Sequence, residues 1–108
     1  EQSAADKILQ DAISLEKAGA DMLVLECVPA ALAKIISEAL TIPVIGIGAG
    51  ADCDGQVLVL HDMLGITPGK RPRFSHDFLA DSGHIPAAIS RYVEAVKNGE
   101  FPTAEQQY

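Results

Sequence analysis

Met22-Leu23-Val24-Leu25-Glu26 decides the fold of this chain: four uninterrupted apolar residues, closed by an acid. A run this short and this apolar suits a strand buried on both faces, which is the habit of parallel sheets. Working outward, residues 4–17 place Ile8, Leu9, Ala12, Ile13 and Leu15 at helical spacing, with Ser3 and Asp6 resembling a capping box and Gly19 a natural stop. On the other side, Pro29 suits a helix first turn, and Ala31, Leu32, Ile35, Ile36, Ala39 and Leu40 supply the apolar face of the next helix.

Two further apolar runs follow. Val44-Ile45-Gly46-Ile47 reads as a second strand, and Val57-Leu58-Val59-Leu60 as a third, reached through a short polar loop. Residues 67–73 hold two prolines and a glycine and read as irregular. A last helix is expected over residues 85–97, with Ile89, Tyr92, Val93 and Val96 inward and Gly99 after it. The order helix, strand, helix, strand, strand, helix is that of an α/β fold with a parallel sheet. Three such strands cannot close on themselves and leave two open edges, so the chain is expected to need the rest of a sheet. The opening Glu1-Gln2-Ser3, without an initiator methionine, agrees with an excerpt of a longer polypeptide.

A formal net charge of -7 over 108 residues argues against nucleic acid and anionic membrane surfaces as partners. Lys70, Arg71 and Arg73 form a short basic run that reads as a solvated loop. There is no apolar stretch of membrane-spanning length. Cys27 and Cys53 match no ligand spacing, and two free thiols fit a reducing, cytoplasmic setting.

Glu26 is the most informative candidate. It ends an apolar strand, and in parallel α/β folds the carboxyl ends of the strands are where ligands bind and catalytic groups project. Partial desolvation between Leu25 and Val28 would raise its proton affinity and suit a general base. The residues alone leave open a carboxylate that caps the following helix near Pro29 or pairs with a lysine. Gly46-Ile47-Gly48-Ala49-Gly50-Ala51 satisfies G-x-G-x-x-A after a strand, but neither the following helix nor the later acid of a dinucleotide site is present. Small residues that let the backbone approach a ligand are the better reading. Asp52, Asp54, His61 and Asp62 lack a recognised metal spacing; Asp54-Gly55 reads as a turn, and Asp62 as the start of a helical turn over Met63 and Leu64. Cys27 has no cationic neighbour in sequence to activate it and reads as a small buried filler.

Three linked segments carry a family resemblance: Leu23-Val24-Leu25-Glu26-Cys27-Val28-Pro29, then Ile42-Pro43-Val44-Ile45-Gly46-Ile47-Gly48-Ala49-Gly50, then Asp54-Gly55-Gln56-Val57-Leu58-Val59-Leu60-His61-Asp62. With Gly99-Glu100-Phe101-Pro102 near the end, their order and spacing resemble the ketopantoate hydroxymethyltransferase family over essentially the whole chain. The chain matches only the C-terminal part of a usual member. The closing Glu105-Gln106-Gln107-Tyr108 departs from the family's His-containing end.

The resemblance implies an α/β fold in which residues 1–108 are the C-terminal portion of a (β/α)8 TIM barrel of the phosphoenolpyruvate/pyruvate class. It implies transfer of a one-carbon unit from 5,10-methylenetetrahydrofolate to 3-methyl-2-oxobutanoate, giving 2-dehydropantoate in pantothenate (coenzyme A) biosynthesis. The 2-oxo acid would chelate Mg2+ held by acidic residues on strands outside this chain, so no metal ligand is assigned here. Glu26 stands at the position of the family's proton acceptor. Strand alternation puts Ile47 on the opposite side from Gly46 and sets Val57 and Val59 on one shared face, and Ile47 and Val59 are expected to line the apolar wall around the substrate's isopropyl group. Members are cytoplasmic homo-oligomers, commonly decamers, and a companion polypeptide carrying the remaining N-terminal strands is the expected partner. Two alternatives stand beside this one: another 2-oxo acid carbon–carbon lyase of the same barrel class, and a non-catalytic barrel fragment.

Overall fold

The structure, a computed structural model, describes residues 2–108. Helix α1 (Gln2–Lys17) packs through Leu9, Ala12 and Ile13 onto α2 (Ala30–Ala39), which contributes Leu32, Ala33 and Ile36. Gln2 is already helical, which puts Ser3 inside the first turn. The helix ends as Gly19 demands: the Gly19 amide donates to the Glu16 carbonyl at 3.0 Å, and the Ala20 amide to that of Leu15 at 3.1 Å.

Three parallel strands form one sheet among the described residues, in the order β1 (Leu23–Glu26), β2 (Val44–Ile47), β3 (Gly55–Gln56). Leu23 pairs with Val44 and Glu26 with Ile47 in the first ladder; Ile45 pairs with Gly55 and Gly46 with Gln56 in the second. Successive side chains alternate between faces, and register partners share a face. Leu23, Leu25 and Val44 face α1 and α2 and join their core. Val24, Glu26, Ile45 and Ile47 therefore share the other face, where Val24 and Glu26 are exposed, Ile45 is half-buried and Ile47 is buried.

That face corrects one expectation. β1 is not buried on both sides here: Leu25 is buried, while Val24 is 55% exposed. Among the described residues the second face is covered only in part, at β2 and not at β1.

The third strand also differs from the sequence reading. It comprises Gly55 and Gln56, two residues ahead of the apolar run, and Leu60 already opens the short helix α3 (Leu60–Met63). The reason lies in β2. Gly48 leaves the extended conformation with φ +66°, so the edge available for pairing stops near Ile47. The amide of Val57 makes the last rung, to the Gly46 carbonyl at 3.0 Å. Alternation nonetheless persists, with Leu58 buried between the exposed Val57 and Val59.

A second core gathers Leu58, Met63, Leu64, Phe78, Ala88, Tyr92, Ala95 and Phe101 beneath α4 (Phe78–Ser82) and α5 (Ile85–Lys97). α5 has the expected limits but a rotated face. Ala88, Tyr92 and Ala95 are buried, Val96 is partly buried, and Ile89 and Val93 are each 42% exposed. The small alanines let α5 approach α4 closely, and the rings of Phe78, Tyr92 and Phe101 meet edge-on at 5.4–5.8 Å between centroids. No helix among the described residues is long and apolar enough to cross a membrane.

Candidate active site

Glu26 is the last residue of β1, and its register partner across the ladder is Ile47. Both side chains thus stand on the same face, at the carboxyl edge of a parallel sheet, Glu26 exposed and Ile47 buried. Val59 lies three residues beyond β3, as the N-cap of α3, and is 51% exposed. Glu26 and Ile47 thus share one side of the sheet, whereas Val59 lies outside it. Glu26 is exposed, so the apolar surroundings expected for it are not provided by the described residues. The capping reading finds no support: the N-cap of α2 is Pro29, without a side-chain hydrogen bond to the helix.

Cys27 corrects the expectation of a buried filler, since it is exposed and carries φ +54°. A left-handed non-glycine residue costs roughly 1 kcal/mol. It is held there by its amide, which donates to the Ile47 carbonyl at 2.9 Å and carries the ladder one residue past Glu26. Backbone strain of this kind concentrates at functional sites. It turns the chain sharply after Glu26 and leaves the carboxylate at the rim.

The glycine-rich turn is filled by the chain itself. Gly48 lies under the Phe74 ring, where an added Cβ would meet Cδ2 at 2.9 Å, and Gly50 lies against Ala30, where it would meet Cβ at 2.7 Å. Close backbone approach is the use of these glycines, as expected, but the groups approaching are Phe74 and Ala30. Residues 46–50 are all buried.

The acids that invited a metal reading have other partners. Asp54 Oδ2 accepts the Val44 amide at 2.7 Å, and the buried Asp62 accepts the Thr67 hydroxyl. Asp62 sits inside α3 rather than at its start, the N-cap being Val59. Burial pushes the neighbouring Cys53 thiol up from its ordinary range, away from thiolate chemistry. No group of three His, Cys, Asp or Glu residues is placed to hold a metal ion among the described residues. These side chains therefore do not fit a Mg2+ site by themselves, and no chemical step is assigned to an ion held by them.

Arg73 is not the free solvated cation expected of the basic run. Its guanidinium lies 4.4 Å from the centroid of the Tyr108 ring and donates to the Gln107 carbonyl. Residue spacing carries no sign of this contact, because its partners lie more than thirty residues apart.

The family model described as ketopantoate hydroxymethyltransferase matches residues 1–104. The chain belongs to the ketopantoate hydroxymethyltransferase family. It is 58% identical over 108 residues to a 3-methyl-2-oxobutanoate hydroxymethyltransferase of Alkalilimnicola ehrlichii, covering 100% of this chain and 39% of that protein. It is 61% identical over 104 residues to the enzyme of that name from Shewanella loihica, covering 96% of this chain and 39% of that protein. The corresponding Edwardsiella ictaluri protein is 60% identical over 108 residues, with 100% and 41% covered. The chain thus spans about two-fifths of the length of the curated relatives it matches.

Proposed function

We propose that residues 1–108 are the C-terminal part of a single (β/α)8 barrel that, when complete, is a 3-methyl-2-oxobutanoate hydroxymethyltransferase of pantothenate biosynthesis. The supporting observation is Glu26 at the carboxyl end of β1, paired with Ile47 on the sheet face opposite α1 and α2. In a barrel that face is the interior and that edge is the catalytic rim. The remaining strands would desolvate Glu26 and hold the Mg2+; the working protein is a cytoplasmic homo-oligomer.

Glu26 takes the C3 proton of 3-methyl-2-oxobutanoate. The resulting carbanion attacks the methylene carbon of 5,10-methylenetetrahydrofolate, forming the new C–C bond. Both C–N bonds to the folate break, and one water supplies the hydroxyl oxygen. The C3 proton and one proton of that water end on the two folate nitrogens. Ile47 and Val59 line the wall that receives the isopropyl group.

The test is exchange of the C3 hydrogen with deuterated water, followed by NMR in the full-length enzyme. Glu26→Gln keeps the side-chain shape and removes the proton acceptor, so exchange and turnover fall by about 10²–10⁴-fold. Exchange at the parent's rate would sink the assignment of Glu26 as base.

A further inference from the structure

The C-terminal tail returns to the rim where Glu26 stands. After the 3-10 turn of Ala104–Gln106, the carbonyl of Tyr108 accepts the amide of Ala30, the first residue of α2, at 3.0 Å. Gln107 lies over the β2 turn, its Oε1 within 3.2 Å of where a Cβ on Gly50 would stand. Gln106 Nε2 donates to the Ser75 carbonyl at 3.4 Å. Arg73 closes the arrangement by stacking on the Tyr108 ring and donating to the Gln107 carbonyl, while its neighbour Phe74 covers Gly48. Tail and loop thus grip the ends of both turns that follow β1 and β2.

From these contacts we infer that Arg73 is a positioning residue for Glu26, acting through Gln107 and Tyr108. The segment between Glu26 and Ala30 is three residues long and begins with the strained Cys27. Its near end is held by the Cys27 amide on Ile47, and its far end by the Ala30 amide on Tyr108. A chain with a left-handed residue relaxes when one end is freed, and a displacement of about 1 Å at a catalytic group costs up to about a hundredfold in rate. The stacked, planar guanidinium suits this task better than a lysine, which lacks the fork and the flat face. The inference rests on the reading of Glu26 as base.

The experiment compares Arg73→Ala, Arg73→Lys, Tyr108→Ala and Glu26→Gln in the full-length enzyme by kcat, KM, Tm, C3-hydrogen exchange and amide exchange at Ala30 and Ile36. Arg73→Ala and Tyr108→Ala are expected to lower kcat and C3 exchange about tenfold with KM and Tm close to the parent. Amide exchange should accelerate at Ala30 and not at Ile36, and Arg73→Lys should recover part of the rate. Should Arg73→Ala fail to fold, Tyr108→Ala and Arg73→Lys decide by the same readouts. Parental kcat with unchanged exchange at Ala30 overturns the inference, as does a rate loss that follows a general fall in Tm with exchange rising equally at Ile36. A Glu26→Gln enzyme that still exchanges C3 hydrogen removes the reading of Glu26, and the inference falls with it. If Glu26→Gln is inactive and Arg73→Ala is parental, only the inference fails.

Discussion

Asp54 and Val44 are tied in both directions: the Val44 amide donates to Asp54 Oδ2 at 2.7 Å, and the Asp54 amide donates to the Val44 carbonyl at 2.9 Å. This pair fixes where the third strand meets the second, one residue before the ladder begins at Gly55. Hydrogen bonds to a charged acceptor contribute more than neutral ones. Asp54→Ala should therefore lower the stability of the complete enzyme by about 1–2 kcal/mol, and Asp54→Asn by less because an acceptor remains. Urea midpoints of the two variants check this; equal midpoints for parent and Asp54→Ala would count against the pair.

Glu16 links α1 to the turn that enters β2. Its Oε2 accepts the Thr41 amide at 2.7 Å, the Thr41 hydroxyl at 2.9 Å and the Ile42 amide at 3.1 Å. The Thr41 amide, then the Ile42 amide and the Thr41 hydroxyl, hold its carboxyl below the usual value of 4.5. A carboxyl with a depressed folded pKa adds stability that is fully present above the unfolded pKa. That stability is lost as pH falls through the folded pKa. Glu16→Gln should consequently flatten the stability profile in acid, below the usual carboxylate range, and leave its neutral limb parallel to the parent's. Denaturant midpoints taken from about pH 6 down to about pH 3 test it. An unchanged acid slope would show that Glu16 is not a source of the pH dependence.

Gly48 and Gly99 separate two costs of adding a methyl group. Both have positive φ, at +66° and +72°, but a Cβ on Gly99 meets nothing within 4 Å, whereas on Gly48 it would strike the Phe74 ring. Gly99→Ala should cost only the backbone term, about 1 kcal/mol. Gly48→Ala should cost about 1–3 kcal/mol more, the usual penalty of overpacking. Thermal unfolding of both variants settles the order. Equal losses would mean that the Phe74 ring moves aside freely.

Val59 probes the wall proposed for the isopropyl group. Removing its two methyls should weaken use of 3-methyl-2-oxobutanoate more than that of unbranched 2-oxobutanoate. At about 0.8 kcal/mol per buried methyl contact, the ratio of kcat/KM values should shift roughly fourfold. Equal effects on both substrates would place Val59 outside the pocket.

How much was legible in the residues is clearest from where local and remote causes part. β2 and α5 have the limits read from their apolar spacing, and β1 lies one residue later than its run. In these segments the period of the side chains and the flanking Gly and Pro act on the chain locally. The position of Glu26 at a strand's carboxyl end follows from the same local pattern. The short helix α4 left a fainter trace, Asp77 capping the Ala80 amide and Gly83 ending it.

What only the tertiary structure decided depends on partners remote in sequence. Val57-Leu58-Val59-Leu60 has the composition of a strand, yet a strand exists only where an edge is offered, and Gly48 turns that edge away. The inward face of α5 passed from Ile89 and Val93 to Ala88 and Ala95 because α4 and Phe101 needed close approach, which hydrophobicity alone does not encode. Cys27 is exposed because the turn after Glu26 is set by a bond to Ile47 on another strand. Arg73 reads as a solvated cation until Tyr108 comes back beneath it. Periodicity is a property of neighbours along the chain, whereas register, exposure and the grip on the rim arise between segments that meet only on folding.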